Sequence, residues 1–384
     1  MVSPPATFAI GAPQLFDGTV MRGPALVTVS NGLIESISFG DTLAHRAIAL
    51  PADAILAPGF IDIQVNGGGG VLLNDQPSEA GLRRIIEAHR ATGTTGCLPT
   101  LITDRVEVIE RLAAVAPGAL QIQGVLGFHL EGPALNKGRK GIHLESEIRA
   151  PSTRDLAAMR SFGSCGRSVV TLAPECVLAP LIEGLIAAGL RVSAGHSDAS
   201  AAQIRHAAER GVTGITHLFN AMSQLTAREG GVVGAALDDD RLFAGIICDG
   251  VHVDPVGLRL AMRCKGPNRL MLITDAMPLV GTDQRQFLLQ GRRITLTGDR
   301  LTGPDGTLAG AQLTMMQAVR NAVTLLGVGI ADALTMGSRT PATFLGLQSE
   351  LGSIAPGYRA DLVAFDSRFE VIETWVAGRS RIKV

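Results

Sequence analysis

Cysteine is scarce in this chain of 384 residues, and the five present (Cys97, Cys165, Cys176, Cys248 and Cys264) are odd in number, widely spaced and never form a CxxC pair. That argues against a disulfide frame and a cysteine zinc site, and it predicts a reduced, cytoplasmic setting. Long apolar runs are missing as well, since none reaches the ~18 residues that a membrane span needs. The opening "MVSPPATFAI" has neither the basic nor the apolar region of a secretory leader, so no targeting is expected. No charge sign dominates. Lys plus Arg (34) nearly balance Asp plus Glu (35), which leaves no electrostatic basis for a nucleic-acid or membrane-surface partner. A phosphate-cradling GxGxxG loop, a GxSxG nucleophile elbow, internal repeats and low-complexity tracts are also absent. With 46% apolar and 18% charged residues, the chain reads as a folded globular protein with a small-molecule partner.

What is present is an alternation. The segments "GFIDIQV", "TGCLPTL", "QGVLGFHLE", "SVVTLAP", "LRVSAGH", "VTGITHL", "LFAGIICD" and "RLMLITD" read as eight buried strands, separated by amphipathic helices. Two of these helices are Ser78 to Thr92, with Leu82, Ile85, Ile86 and His89 on one face, and Ser200 to Arg210, opened by a Ser200/Gln203 capping box. Eight such units predict a (β/α)8 barrel over residues 57–351. Residues 281–310 break the pattern with β-like runs and a turn at Pro304 to Gly306, and read as a β insertion after strand eight. Both chain ends are β-rich, with an Asn31-Gly32 hairpin turn near the start. Neither end can fold alone, so residues 1–56 and 352–384 are expected to form one small β-sandwich.

Catalytic groups in such barrels sit where strands end. Strand three ends with Glu131, strand five with His196, strand six with His217 and strand eight with Asp275. One carboxylate and two imidazoles are the ligand types of a catalytic zinc-type site that keeps a position open for water. Singly, each would more often just satisfy loop amides, but three at the correct ends favour ligation. Asp275, on the strand beside the first, suits a general base. His143 and His252 fall in loops on the same mouth, where each could bond a substrate carbonyl or hydroxyl, although a lone loop histidine is more often a surface residue. Arg228 is a candidate anion clamp, with an ordinary exposed arginine as the alternative. The basic run Lys137, Arg139 and Lys140 reads as solvated, and Gly67 to Gly70 as a tight turn beside the site.

These stretches, "PGFIDIQVNGGGG", "GFHLEGPALNKGRKGIH", "SAGHSDA", "THLFNAM", "CDGVHV", "ITDAM" and "LAGAQLTM", resemble the N-acetylglucosamine-6-phosphate deacetylase family of the amidohydrolase superfamily over essentially the whole chain. The resemblance implies a cytoplasmic, oligomeric enzyme that releases acetate from the acetamide of its sugar phosphate. It implies Glu131, His196 and His217 as metal ligands and Asp275 as the acid/base. His143 is implied beside the acetyl carbonyl, stabilising its oxygen. Ala134, Ile142, Asn220, Ala221, Arg228, Asp249, His252, Leu308, Ala309 and Gly310 are implied as substrate contacts. Arg228 is expected to reach a neighbouring subunit's site in a homodimer or higher homo-oligomer.

Strand one departs from the pattern of those members that carry His-x-His, because Gln64 and Asn66 stand at the two positions. A neutral amide oxygen is a poorer zinc ligand than imidazole. The expectation is therefore one divalent metal per chain, zinc first, with iron or another divalent ion compatible with the same ligand types. Gln64 and Asn66 would support the site without binding the ion. A preference for N-acetylgalactosamine 6-phosphate or another small amide, or a metal-free binding relative, are the alternatives.

Overall fold

The computed structural model describes residues 7–40 and 47–381, so parts of the expected sandwich segments, residues 1–6, 41–46 and 382–384, lie outside the described residues. All eight expected barrel strands are present and parallel: Phe60–Val65, Thr94–Ile102, His129–Glu131, Val169–Leu172, Arg191–Ala194, Val212–Ile215, Phe243–Ile247 and Leu270–Ile273. They are called barrel strands one to eight below. The sheet closes between the last and the first through a parallel bridge from Val65 to Ala276, with Asp275 N donating to Gln64 O at 3.0 Å. Nearly every strand residue is buried, because helices cover the outside and side chains fill the interior. Barrel strand three is far shorter than the "QGVLGFHLE" run suggested. Gly124 turns the chain at a φ of +100°, and only His129 to Glu131 pair on both sides as a regular strand.

The helices form where their ends are chemically marked. Ser78 accepts from Gly81 N to cap Glu79–Arg90, whose Leu82, Ile85, Ile86 and His89 face inward. The Ser200/Gln203 capping box opens Ala201–Glu209 with both reciprocal bonds formed.

The chain ends meet in space. A six-stranded sheet runs in the order Arg379–Ser380, Val371–Val376, Leu362–Phe365, Ile55–Pro58, Gln14–Phe16 and Met21–Arg22, so strands from both termini pair directly. It packs on a four-stranded sheet made of Leu33–Phe39, Ala25–Ser30, Phe8–Ala12 and Ala47–Ala49. Ile10, Val27, Ile34, Leu56, Leu362 and Trp375 fill the space between the two sheets. Asn31 and Gly32 take the positive φ values (52° and 80°) of the hairpin turn.

After barrel strand eight, four antiparallel strands fold as a flap over the barrel mouth: Gln286–Leu289, Arg292–Thr297, Arg300–Thr302 and Leu308–Ala311. Leu289, Ile294 and Leu301 of this insertion pack with Ile102 at the end of barrel strand two and with Ile142 and Met277 of the barrel loops. The insertion is thereby continuous with the walls of the mouth.

Candidate active site

Glu131, His196, His217 and Asp275 all line one cavity of about 330 Å³ at the strand ends. His217 Nε2 lies 3.0 Å from Glu131 Oε1 and 3.1 Å from His196 Nε2, and His196 Nε2 lies 3.2 Å from the same Glu131 oxygen. Ligand atoms held at about 2.0–2.1 Å around a tetrahedral zinc ion are themselves roughly 3.3 Å apart, so this spacing fits one ion. His196 Nδ1 donates to the Arg139 carbonyl at 2.8 Å, which leaves its Nε2 lone pair facing the cluster. Two imidazole nitrogens and a carboxylate oxygen turned towards one another repel unless a cation or proton lies among them. His143 joins the group at its edge. Its ligand atom and those of Glu131 and His196 lie within 4.8 Å of one another, but its Nε2 is 3.9 Å from Glu131 Oε2, farther than His217. The tighter set is Glu131, His196 and His217.

The electrostatics follow the same geometry. Burial alone would raise the Glu131 carboxyl, and the hydrogen bonds and charges of His196 and His217 outweigh it, holding the group well below the usual carboxylate range. Burial would pull His217 down, but the Glu131 hydrogen bond and charge raise it. Asp275 is pushed up to about 6, chiefly by burial and then by the charge of Glu131. A carboxyl at that value is poised to accept and return a proton near neutrality. Burial followed by the charge of His196 depresses His143 to about 3, so its ring is neutral.

The backbone is strained at this mouth. His196, His217, Ala221 and Asp275 all have positive φ values (47°, 33°, 49° and 49°), each costing about 1–3 kcal/mol for a side chain of this kind. Such strain persists only where the surroundings over-determine it, and here it aims the side chains inward from the loops.

Gln64 and Asn66 sit beneath the acidic groups. Gln64 Nε2 lies 3.2 Å from both Glu131 oxygens and from Asp275 Oδ1, and Asn66 Nδ2 lies 2.7 Å from Asp275 Oδ1. Ile142, Asn220, Ala221, His252, Leu308 and Gly310 line the same cavity. Asp249 stands behind it, 2.6 Å from His252 Nδ1, and orients that ring. Three further expected contacts do not line this cavity. Ala134 is buried and borders a separate cavity. Ala309 is buried in the core of the insertion, since alternation along Leu308–Ala311 turns it away from the cavity that Leu308 and Gly310 line. Arg228 is solvent-exposed on the loop after barrel strand six and does not line its own chain's cavity.

Other residues escaped the sequence reading. Arg139, expected to be merely solvated, lines the cavity, pairs with Asp198 at 2.7 Å and supplies the carbonyl that orients His196. His129 lies two residues before Glu131 on the same face of barrel strand three and bonds Thr171 Oγ1 at 2.7 Å, and burial lowers it to about 4. The period of two in "FHLEGP" could have revealed it. Asp62, two residues before Gln64, is likewise turned into the barrel, where it bonds Thr274.

An amidohydrolase family model matches residues 55–381. The chain belongs to the amidohydrolase family. It is 40% identical over 376 residues to the N-acetylgalactosamine-6-phosphate deacetylase of Shewanella sp. (strain ANA-3), covering 96% of this chain and 94% of that one. It is 35% identical over 331 residues to the N-acetylglucosamine-6-phosphate deacetylase of Haemophilus influenzae, covering 84% and 86%. The crystal structure of N-acetylglucosamine-6-phosphate deacetylase from Pasteurella multocida superposes with a TM-score of 0.93 at 34% identity, over 98% of this chain and 100% of that one. No helix among the described residues is long and apolar enough to cross a membrane.

Proposed function

We propose that this amidohydrolase hydrolyses the acetamide of N-acetyl-D-glucosamine 6-phosphate, giving D-glucosamine 6-phosphate and acetate. The observation that carries the reading is the convergence of Glu131, His196 and His217 beside Asp275 in one cavity. The deacetylase relatives that match nearly the full chain support it.

In this reading Glu131, His196 and His217 hold one divalent ion, and zinc suits a set of two imidazoles and one carboxylate. Such an ion, when bound, supplies Lewis acidity that lowers the pKa of water and polarises a carbonyl. Asp275 takes the proton from the attacking water and returns it to the departing amine nitrogen. Asn66 and Gln64 hold the Asp275 carboxylate in place through that cycle. His252, oriented by Asp249, and Asn220 offer polar groups to the sugar phosphate. The convergence of the ligand set weighs against a metal-free binding relative.

Exposure of Arg228 suits a role in trans, in which a homodimer carries this guanidinium to the partner's cavity as a phosphate clamp. Its replacement by Ala should raise KM for the phosphorylated sugar. Unpaired cysteines suit a reducing, cytoplasmic setting. The galactosamine epimer is a second reading, favoured by the relative at 40% identity. Acetate release from the two N-acetylhexosamine 6-phosphates, compared as kcat/KM, tests the proposal. Higher kcat/KM on the glucosamine epimer is the expected result, and turnover of neither would refute it.

A further inference from the structure

We propose that Glu175 is a positioning residue, which ties three loops of the mouth together and thereby sets the place of His196. The step from His196 to a bound metal rests on the deacetylase reading above, whereas the bridging of the loops stands on geometry.

Glu175 lies in the short turn Pro174–Cys176 that follows barrel strand four. It does not line the cavity. Its carboxylate reaches sideways to both neighbouring loops. Oε1 accepts from Asn136 Nδ2 at 2.9 Å, on the loop after barrel strand three, and from the Asp198 backbone N–H at 2.6 Å, on the loop after barrel strand five. Oε2 accepts from Ser197 Oγ at 2.7 Å. Hydrogen bonds to a carboxylate are roughly twice as strong as those between neutral groups.

The bridged residues are the ones that hold His196. Asn136 N donates to the His196 carbonyl at 2.9 Å, and Asn136 Oδ1 accepts from Gly138 N at 2.9 Å to start the Lys137–Arg139 turn. That turn presents the Arg139 carbonyl, 2.8 Å from His196 Nδ1. Asp198 pairs with the Arg139 guanidinium at 2.7 Å and so closes the ring of contacts. His196 is thus gripped at its backbone and at its ring by a segment that Glu175 fastens. Its φ of +47° needs such an anchor, because strained backbone persists only where its neighbours over-determine it. The tie extends further round the mouth, since Ser197 N donates to the Ala221 carbonyl at 3.2 Å on the loop after barrel strand six.

Only a long side chain with two polar ends can make this bridge. Aspartate keeps the charge but is one methylene shorter and cannot reach both loops at once. Glutamine keeps an oxygen for Asn136 and Asp198 and can turn its NH2 to Ser197 Oγ, which has lone pairs to accept it.

Zinc affinity, read by competition with a chromophoric chelator, tests the proposal without any turnover. Glu175→Ala and Glu175→Asp should each bind zinc about 10- to 100-fold more weakly, the usual cost of removing a group that orients a ligand, and Glu175→Gln should recover most of the loss. Should the alanine variant fail to fold, the aspartate variant carries the test. Wild-type affinity in folded Glu175→Ala or Glu175→Asp would overturn the proposal, and so would a loss in Glu175→Gln equal to theirs. Ser152→Ala removes a helix cap that does not line the cavity and should leave zinc affinity unchanged, so an equal loss there would reduce the effect to general stability and overturn the proposal too. Metal-free crystal structures of the alanine and aspartate variants should show His196 and the Lys137–Arg139 turn displaced, and an unmoved His196 would overturn it. A wild-type protein that binds no zinc refutes the metal reading, and these crystal structures then decide the bridging role by themselves.

Discussion

Asn66 donates its Nδ2 hydrogen to Asp275 Oδ1 across 2.7 Å, joining the end of barrel strand one to the end of barrel strand eight. Gln64 Nε2 reaches the same oxygen at 3.2 Å and both oxygens of Glu131 as well. Both amides thus turn their NH2 groups to carboxylates, which is the orientation of a donor and the opposite of a metal ligand. Neutral donors at these two positions let Glu131 and Asp275 stay close while both are ionised.

Asn66→Ala should therefore retain the metal but loosen Asp275. A loss of about 10- to 100-fold in kcat is expected, the usual cost of removing a group that orients a site residue. Steady-state kinetics paired with metal analysis checks this, and loss of the metal instead would make Asn66 a ligand.

Asp275→Asn should keep the shape of the pocket while removing the proton acceptor. Turnover should fall by several orders of magnitude, with metal content and substrate affinity nearly intact. Near-normal turnover would take Asp275 out of the acid/base role.

Asp62 offers a test by pH. Its buried carboxyl accepts from Thr274 Oγ1 at 2.5 Å, yet burial outweighs these bonds and pushes it up to about 7. An acid whose pKa is higher folded than unfolded keeps its proton in the native state after the unfolded chain has released it. The native state then binds more protons between about pH 4 and 7, so this group's contribution to stability falls as pH rises, by at most about 1.4 kcal/mol per pH unit, and levels off above that window. Asp62→Asn cannot ionise. Urea unfolding across the window should show the wild-type protein losing stability relative to the variant as pH rises, and parallel curves would contradict the assignment.

Ser200→Ala removes half of the capping box that opens Ala201–Glu209. A loss of about 1 kcal/mol in unfolding free energy is expected, with kcat unchanged because the helix start does not line the cavity. Chemical denaturation and an acetate assay on the same preparation read both.

The parts legible in the sequence are those governed by short-range rules. Eight apolar runs marked the strands, and the Ser200/Gln203 and Asn31-Gly32 signals marked a helix start and a turn. Placing polar residues at strand ends brought Glu131, His196, His217 and Asp275 into view, because barrel topology converts those ends into one surface. The remainder depends on contacts between distant segments. Asn66 and Asp275 are 209 residues apart and meet only where the last barrel strand closes on the first. Arg139 looked like one cation in a solvated run, and its functional atom is a backbone carbonyl that no residue type could advertise. Ala309 stands between two residues of the mouth, Leu308 and Gly310, but strand alternation turns it into the core of the insertion.

Metal stoichiometry per chain, measured on the same protein that is assayed for acetate release from N-acetyl-D-glucosamine 6-phosphate, is the most direct test. The account predicts one equivalent of a divalent ion, activity that disappears on chelation and activity that returns when one equivalent is restored. Full turnover in thoroughly chelated protein would contradict it.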